Sequence, residues 1–152
     1  MQSIEAFKKK LSESGSVQWL SETRLETLWH FEMSADRVAI WKHLSDTSRF
    51  NRELGLPPRT ETEINGELVV RTSTLGLPQE WIEEPWTWVA EQSISSVRRY
   101  KKGLAKTVHS VFLISETPDH SKRIVSIYFG WNPQNFFWSL ILKLSESVLQ
   151  NQ

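Results

Sequence analysis

The chain has 152 residues, 39% of them hydrophobic, a length and composition that suit one globular domain with a substantial core. Its 18 basic side chains are balanced by 18 acidic ones, which excludes the concentrated positive charge of a typical nucleic-acid-binding protein. The chain contains no cysteine, which excludes disulfides and thiolate metal sites, and neither a metal nor a cofactor is expected.

The start of the chain lacks the features of a targeting segment. Glu5 and Lys8 stand where a secretory signal would need an apolar stretch. No apolar run in the sequence approaches the length of a membrane span. The sequence therefore predicts a cytoplasmic protein.

The first predicted element is an amphipathic helix over residues 4–20. Gly15 is a weak point within it and favours two short helical pieces, because glycine destabilises a helix interior. We interpret residues 1–24 as an N-terminal helical extension and residues 25–152 as the main domain.

The main domain begins with a predicted strand over residues 25–33, which are rich in Leu, Trp and Phe. Ser34 follows and can cap the next helix by accepting a backbone N–H bond. From residue 35 the apolar side chains recur at helical spacing, and a second short helix over residues 50–54 is expected to stop at Gly55.

The middle of the chain predicts a series of antiparallel strands. Asn65-Gly66 lies between residues 59–64 and 67–74, and its tolerance of positive φ makes it a strong hairpin signal. Further strands are predicted over residues 80–84, 86–91, 94–100, 107–114 and 123–131. Asn135 can cap a last helix. Its apolar side chains form one stripe: Phe136, Phe137, Leu140, Ile141, Leu144 and Val148.

Two segments resemble a known superfamily. Residues 44–58, LSDTSRFNRELGLPP, and residues 80–89, EWIEEPWTWV, are similar to the helix-grip, START-like superfamily of polyketide cyclases and lipid carriers (SRPBCC). Within that superfamily they resemble the domain that precedes the catalytic domain in some bacterial class III adenylate and guanylate cyclases.

This resemblance implies an α+β fold in which a curved antiparallel sheet of six to seven strands wraps around a long C-terminal helix. A cavity between sheet and helix would bind a small hydrophobic or aromatic ligand, such as a lipid. The resemblance also implies a regulatory or sensory module of a signalling protein such as an adenylate cyclase. Its partner would be a downstream catalytic domain in cis or a signalling protein in trans.

The loop after the second helix flanks the cavity mouth in the superfamily. This points to Phe50, Asn51 and Leu56 as residues that line the entrance. The alternative is a cap-and-stop turn that has no role in ligand binding.

Strand pairing predicts which side chains face the cavity, because a shift of one residue exchanges the two faces of a sheet. If Ile114 pairs near Ile124, one apolar face holds His109, Val111, Ile127, Phe129 and Trp131. Carrying this register back across the preceding turn adds Arg98 and Tyr100 to the same face.

Arg98 and His109 on an apolar face favour a ligand with a polar head group, since burying these side chains unpaired costs several kcal/mol. The alternative is that Arg98 pairs with an acidic neighbour at the cavity rim, Glu80 or Glu83.

Three tryptophans fall within eight positions of the predicted strands. Trp81, Trp86 and Trp88 are rigid aromatic side chains with one N–H donor each, which suits both stacking and orientation of a ligand. Packing in the core is the alternative for them, as it is for Trp131.

Motifs for nucleophilic, phosphate-binding or metal-dependent catalysis are absent from the sequence. His109 is the one acid-base candidate that could serve a cyclase-like pocket. The sequence therefore favours a non-catalytic ligand-binding domain. Two alternatives remain: a polyketide cyclase-like or hydrolase-like enzyme that uses His109, and a protein-interaction module whose cavity is filled by its own side chains.

Overall fold

The structure is a computed structural model in which residues 3–13, 15, 17, 19, 23–46, 55, 57–74 and 76–135 are described. The elements are, in chain order, α1 (Ile4–Glu13), β1 (Leu25–Met33), α2 (Arg37–Ser45), β2 (Thr60–Ile64), β3 (Glu67–Thr74), β4 (Leu77–Glu83), β5 (Thr87–Val89), β6 (Ser93–Lys102), β7 (Ala105–Glu116) and β8 (Arg123–Pro133). Within these residues no helix has both the length and the apolar character that crossing a membrane requires.

The fold is α+β, with a curved antiparallel sheet and two helices in the described residues. The strand order is β1-β8-β7-β6-β4-β3-β2, and β5 pairs with β6 beside this path. The sheet thus has eight strands in the described part of the chain, where six to seven were predicted. The predicted helices over residues 50–54 and from residue 136 onward lie outside the described residues.

Local sequence signals set the hairpin between β2 and β3. Asn65 and Gly66 have φ angles of 54° and 79°, and Ile64 pairs with Glu67 across the turn. Two consecutive residues with positive φ match the twist of the flanking strands, and Asn-Gly adopts that conformation at low cost. The predicted hairpin is confirmed.

The N-terminus of α2 is capped by Asp36 and not by Ser34. Asp36 has an extended backbone, and its carboxylate accepts a hydrogen bond of 2.8 Å from the backbone N–H of Ala39. The helix consequently starts at Arg37, two residues later than predicted. Both candidates are good capping residues, and the backbone geometry at the end of β1 decides between them.

Both faces of the sheet are covered by a helix of the chain. On one face, Phe7 and Leu11 of α1 pack with Val17 against Val111 and Tyr128. On the other, the buried side chains of α2 and the sheet are Ile40, Leu44, Ile94, Ile114 and Val125. We call these two sides the α1 face and the α2 face.

The predicted register of β7 against β8 is wrong by one residue. Ile114 pairs with Val125 and not with Ile124, and the six residues between Glu116 and Arg123 close the connecting turn. Tight bonding within this turn, such as that from the Thr117 backbone N–H to the Lys122 carbonyl at 3.1 Å, accompanies the observed pairing. The apolar pattern could not reveal the shift, because each face of the sheet is covered and both carry apolar side chains.

The shift divides the predicted cavity residues between the two faces. His109 pairs with Gly130, and Val111 pairs with Tyr128, so both side chains belong to the α1 face. The predicted members on the α2 face are Arg98, Tyr100, Ile127, Phe129 and Trp131.

Candidate functional site

A buried carboxylate organises one end of the α2 face. Glu83 is the last residue of β4 and is only 7% exposed. The indole N–H of Trp81 donates to its Oε2 at 2.8 Å, and the indole N–H of Trp86 donates to its Oε1 at 3.0 Å. Trp81 and Glu83 lie on the same face because successive side chains of a strand alternate between the two faces. Trp86 follows Pro85, and its indole binds the same carboxylate.

Arg98 on β6 is the third donor to this carboxylate. Its Nε lies 3.2 Å from Glu83 Oε2, and its guanidinium carbon lies 5.6 Å from the centroid of the Trp81 ring. The predicted alternative that Arg98 pairs with Glu83 is therefore confirmed, whereas Glu80 pairs with Arg71 at 2.6 Å. The ion pair with Arg98 compensates the charge of the Glu83 carboxylate, which would be costly to bury without a partner.

Tyr100 completes the group beside Trp81, with ring centroids 5.3 Å apart. Burial raises the pKa of its hydroxyl above the usual value, and the nearby positive charge of Arg98 opposes this increase. Tyr100 is therefore a neutral phenol at physiological pH. We call Trp81, Glu83, Trp86, Arg98 and Tyr100 the polar-aromatic cluster.

A second group of aromatic side chains lies further across the α2 face. Phe129 makes edge contacts with Trp29 and Phe112, at centroid distances of 6.0 and 6.2 Å, and stacks on Trp131 at 6.1 Å. All four side chains are partly exposed. We call Trp29, Phe112, Phe129 and Trp131 the aromatic row.

The cluster and the row meet across β7. Val108 pairs with Arg98 on one side and with Trp131 on the other. In the next position on this face, the hydroxyls of Ser96 and Ser110 are hydrogen-bonded at 2.8 Å. The α2 face thus combines an apolar aromatic surface with polar groups at one end, the usual composition of a small-molecule site.

The remaining predicted site residues lie elsewhere. Trp88 is 62% exposed and rests against Trp41 with ring centroids 6.2 Å apart, so it does not join the cluster. Ile127 packs against the core beneath α2. Phe50, Asn51 and Leu56 lie outside the described residues.

His109 is enclosed on the α1 face. Its side chain has no solvent exposure, its Nε2 lies 2.9 Å from Ser95 Oγ, and the rings of Trp19 and Tyr128 lie 5.3 and 6.0 Å away. Burial, reinforced by the nearby charge of Lys8, lowers the pKa of His109 to about 4. The position predicted for His109 is therefore wrong, and the sheet separates it from Arg98 and Tyr100.

Sequence reasoning missed the central role of Glu83. Glu83 was predicted as one of two possible partners of Arg98, but not as the acceptor that also binds the Trp81 and Trp86 indoles. Glu83 and Glu84 are adjacent strand residues and point to opposite faces. Each pairs with one of two adjacent arginines on β6, Glu83 with Arg98 and Glu84 with Arg99. Two consecutive acids opposite two consecutive bases were a usable signal for this pairing. Within the described residues no group of three His, Asp or Glu side chains is arranged to hold a metal ion.

Comparisons with known proteins identify the fold. Neither a protein-family model nor a curated protein matches the chain. Among solved structures, TTHA0849 from Thermus thermophilus is similar at a TM-score of 0.59 and 14% identity, over 84% of this chain and 88% of that one. The Zhui aromatase/cyclase from Streptomyces sp. R1128 has a TM-score of 0.56 and 12% identity over 73% of this chain and 69% of that one. Ara h 8.0201 has a TM-score of 0.50 and 9% identity over 80% of this chain and 90% of that one.

At these identities the similarity defines a fold and not an activity. The chain shares the α+β architecture of these proteins, a curved antiparallel sheet with accompanying helices. This architecture is compatible with the helix-grip class.

Proposed function

We propose that this chain binds a small hydrophobic or aromatic molecule on the α2 face, without catalysing a reaction. The observation that carries the proposal is the partly exposed aromatic row beside the polar-aromatic cluster. Aromatic side chains supply apolar contact area at low conformational cost, and a few placed polar groups orient the ligand. The Zhui aromatase/cyclase, which has the same fold, offers a precedent for small-molecule chemistry on this architecture.

The complete proposal is a helix-grip domain over residues 25–152, with residues 1–24 as an extension. Residues from 136 onward would form the long terminal helix around which the sheet wraps. Phe50, Asn51 and Leu56 would lie at the entrance. These parts rest on the superfamily resemblance and on the apolar stripe of the terminal segment.

We also propose that the domain is a cytoplasmic regulatory or sensory module of a bacterial signalling protein such as an adenylate cyclase. It would act on a catalytic domain in cis or on a partner in trans. The similarity of residues 44–58 and 80–89 to the cyclase-associated domain supports this role. Native mass spectrometry of protein purified from cells tests it, because a sensory domain should retain a small molecule that denaturation releases.

Titration with the neutral apolar dye N-phenyl-1-naphthylamine tests ligand binding directly. We expect saturable dye fluorescence, with quenching of tryptophan emission. Phe129→Leu should weaken dye binding by roughly 3- to 10-fold, because it removes the ring at the centre of the aromatic row.

Trp88→Leu is the matched control, since Trp88 is exposed and outside both groups. Dye binding that is absent, or equally sensitive to Trp88→Leu and Phe129→Leu, would contradict the proposal. The first of these outcomes favours the alternative of an interaction module whose interior is filled by its own side chains.

A further inference from the structure

His109 lies at the base of a stack of side chains on the α1 face. The side chain has no solvent exposure, and the rings of Trp19 and Tyr128 lie 5.3 and 6.0 Å from its ring. Phe7 of α1 contacts these same two aromatic rings, at centroid distances of 6.3 and 6.2 Å. The Lys8 ammonium lies over both of them, at 5.3 and 5.9 Å. On this face, α1 and Trp19 therefore stand between His109 and solvent.

The hydrogen bonding of His109 suits a neutral ring. Its Nε2 lies 2.9 Å from Ser95 Oγ, a hydroxyl that can donate or accept. Its Nδ1 is buried and has no hydrogen-bond partner within the described residues. A neutral imidazole carries one N–H, whereas an imidazolium carries an N–H on both nitrogens. Protonation would therefore place both a charge and an unsatisfied donor inside the closed stack, which is costly.

The charged groups around His109 do not compensate an imidazolium. The nearest charge on α1 is the positive Lys8, which adds to burial in lowering the pKa of His109. Glu26 on β1 already binds Lys8 and the Tyr128 hydroxyl, at 2.5 and 2.6 Å. Glu84 on β4 favours the charged ring, but it forms an ion pair with an arginine and its effect is the weakest of the three. The closed stack thus favours the neutral ring from every side.

α1 can leave this face without disturbing the sheet. The backbone pairing of β1 with β8 begins at Leu25, which follows α1 in the chain. α1 itself is held by the buried side chains of Phe7 and Leu11 and by the partly exposed pair of Lys8 with Glu26. Segments that are attached by a few side chains open at a lower free energy than the whole domain unfolds. Opening of the α1 face is therefore separable from global unfolding.

We propose that α1 and Trp19 form an acid-sensitive latch, which protonation of His109 releases from the sheet while the strands and the α2 face stay folded. In the released state water solvates the imidazolium. The same movement uncovers Val111 and Tyr128, the apolar surface on which α1 packs. The latch lies on the opposite side of the sheet from the proposed ligand site and does not depend on ligand binding.

The direction of the pH effect follows from the two states. The pKa of His109 is lowered from 6.5 to about 4 in the closed state, whereas an open latch returns the ring to water and towards its ordinary pKa. The open state thus binds the proton more tightly. The closed state dominates at neutral pH, and the open state gains population as the pH falls from 6.5 towards 4.

Single introduced thiols can report this opening, because the chain contains no cysteine. Leu11→Cys places a thiol beneath α1, and Ile40→Cys places one beneath α2; the native side chains are 4% and 5% exposed. Lys10→Cys, at an exposed position of α1, gives the reference rate at each pH. The reagent is 4,4′-dithiodipyridine, whose reaction with thiols can be followed in acid. Circular dichroism at neutral pH establishes that each variant is folded.

We expect labelling of Leu11→Cys, relative to the exposed reference, to accelerate by roughly 10- to 100-fold between about pH 7 and about pH 4.5. Labelling of Ile40→Cys should not accelerate. If Leu11→Cys already reacts at the reference rate at neutral pH, Val17→Cys takes its place, since Val17 is buried in the same cluster.

Three further substitutions, each combined with Leu11→Cys, identify the group that titrates. His109→Gln keeps an amide that can bond Ser95 but does not titrate, and it should abolish the acceleration. His30→Gln is the matched control, because His30 lies on the same face and bonds Ser126 at 2.9 Å. It should leave the acceleration intact. Glu26→Gln removes the other titratable group that binds α1, and it should also leave the acceleration intact.

Three outcomes would overturn the latch. Equal acceleration in Ile40→Cys would mean that acid unfolds the domain as a whole. An acceleration that persists in His109→Gln, or disappears in Glu26→Gln, would assign the effect to another group. Labelling of Leu11→Cys that does not accelerate in acid would mean that α1 stays in place. Dye titration at neutral pH tests the α2 face separately, so neither proposal depends on the result of the other.

Discussion

The two faces of the sheet differ in how their polar side chains are bonded and covered. On the α1 face, the hydroxyl of Tyr128 donates to Glu26 Oε1 at 2.6 Å, and Lys8 of α1 binds the same oxygen at 2.5 Å. Lys8 also lies over the Trp19 ring at 5.3 Å. The chain's own first helix therefore completes this polar network.

On the α2 face, the carboxylate of Glu83 is buried, but its partner Arg98 remains within reach of solvent. Arg98 keeps a quarter of its side chain exposed, and the aromatic row beside it is partly exposed. The α1 face also contains ring nitrogens without a partner among the described residues, His109 Nδ1 and Trp19 Nε1, but these are sealed from solvent. The burial of a polar group therefore does not by itself indicate a binding site. Solvent-accessible donors next to an apolar surface are the better indication.

The largest expected effect concerns the closure of the α1 face. Phe7→Ala should reduce the free energy of unfolding by about 3–5 kcal/mol, because Phe7 is completely buried and stacks at 6.2 Å on Tyr128. Urea denaturation followed by circular dichroism measures the change. Phe31→Ala is the matched control, since Phe31 is 45% exposed and should cost far less. An equal, small cost for both variants would mean that α1 does not close this face.

A second prediction concerns the two adjacent ion pairs. Glu83→Ala should cost about 2–4 kcal/mol of stability, because it leaves Arg98 and two indole donors without their acceptor. Glu84→Ala removes the partner of exposed Arg99 and should cost less than about 1 kcal/mol. Thermal and urea unfolding of both variants measure the difference. Similar losses of stability in Glu83→Ala and Glu84→Ala would show that the two faces depend equally on these carboxylates.

The third prediction is a pH dependence that belongs to the α1 face. The pKa of His109 is lowered from 6.5 to about 4 in the folded state, so the unfolded chain binds the proton more strongly. The stabilisation is complete above pH 6.5 and is lost as the pH falls towards 4, by about 3 kcal/mol at most. Urea unfolding across this range, compared with His109→Gln, isolates the contribution. Parallel stability curves for wild type and variant would rule it out.

The smallest expected effect tests the electrostatic link between α1 and the sheet. Lys8→Met should cost less than about 1 kcal/mol, because the Lys8–Glu26 pair is partly exposed. The positive charge of Lys8 contributes to the lowered pKa of His109, so the variant should raise that pKa towards its ordinary value. Titration of the histidine ring protons by NMR measures the shift. An unchanged pKa of His109 in Lys8→Met would mean that burial alone lowers this pKa.

Much of the fold could be predicted from the sequence, where short-range chemistry decides the structure. The Asn65-Gly66 hairpin follows from two residues that tolerate positive φ, and it is confirmed. The strand that precedes α2 and the helix itself appear where the apolar patterns indicate them. The sequence offered two acidic partners for Arg98, Glu80 and Glu83, because opposite charges on neighbouring strands attract. In the structure Arg98 pairs with Glu83.

Only the tertiary structure decided which side chains share a face. A single-residue difference in the pairing of Ile114 moved His109 and Val111 to the α1 face and left Arg98, Phe129 and Trp131 on the other. Apolar alternation identifies a face when one side of a sheet meets water. Here helices cover both sides, so the sequence pattern is nearly symmetric, and long-range packing of α1 and α2 selects the register.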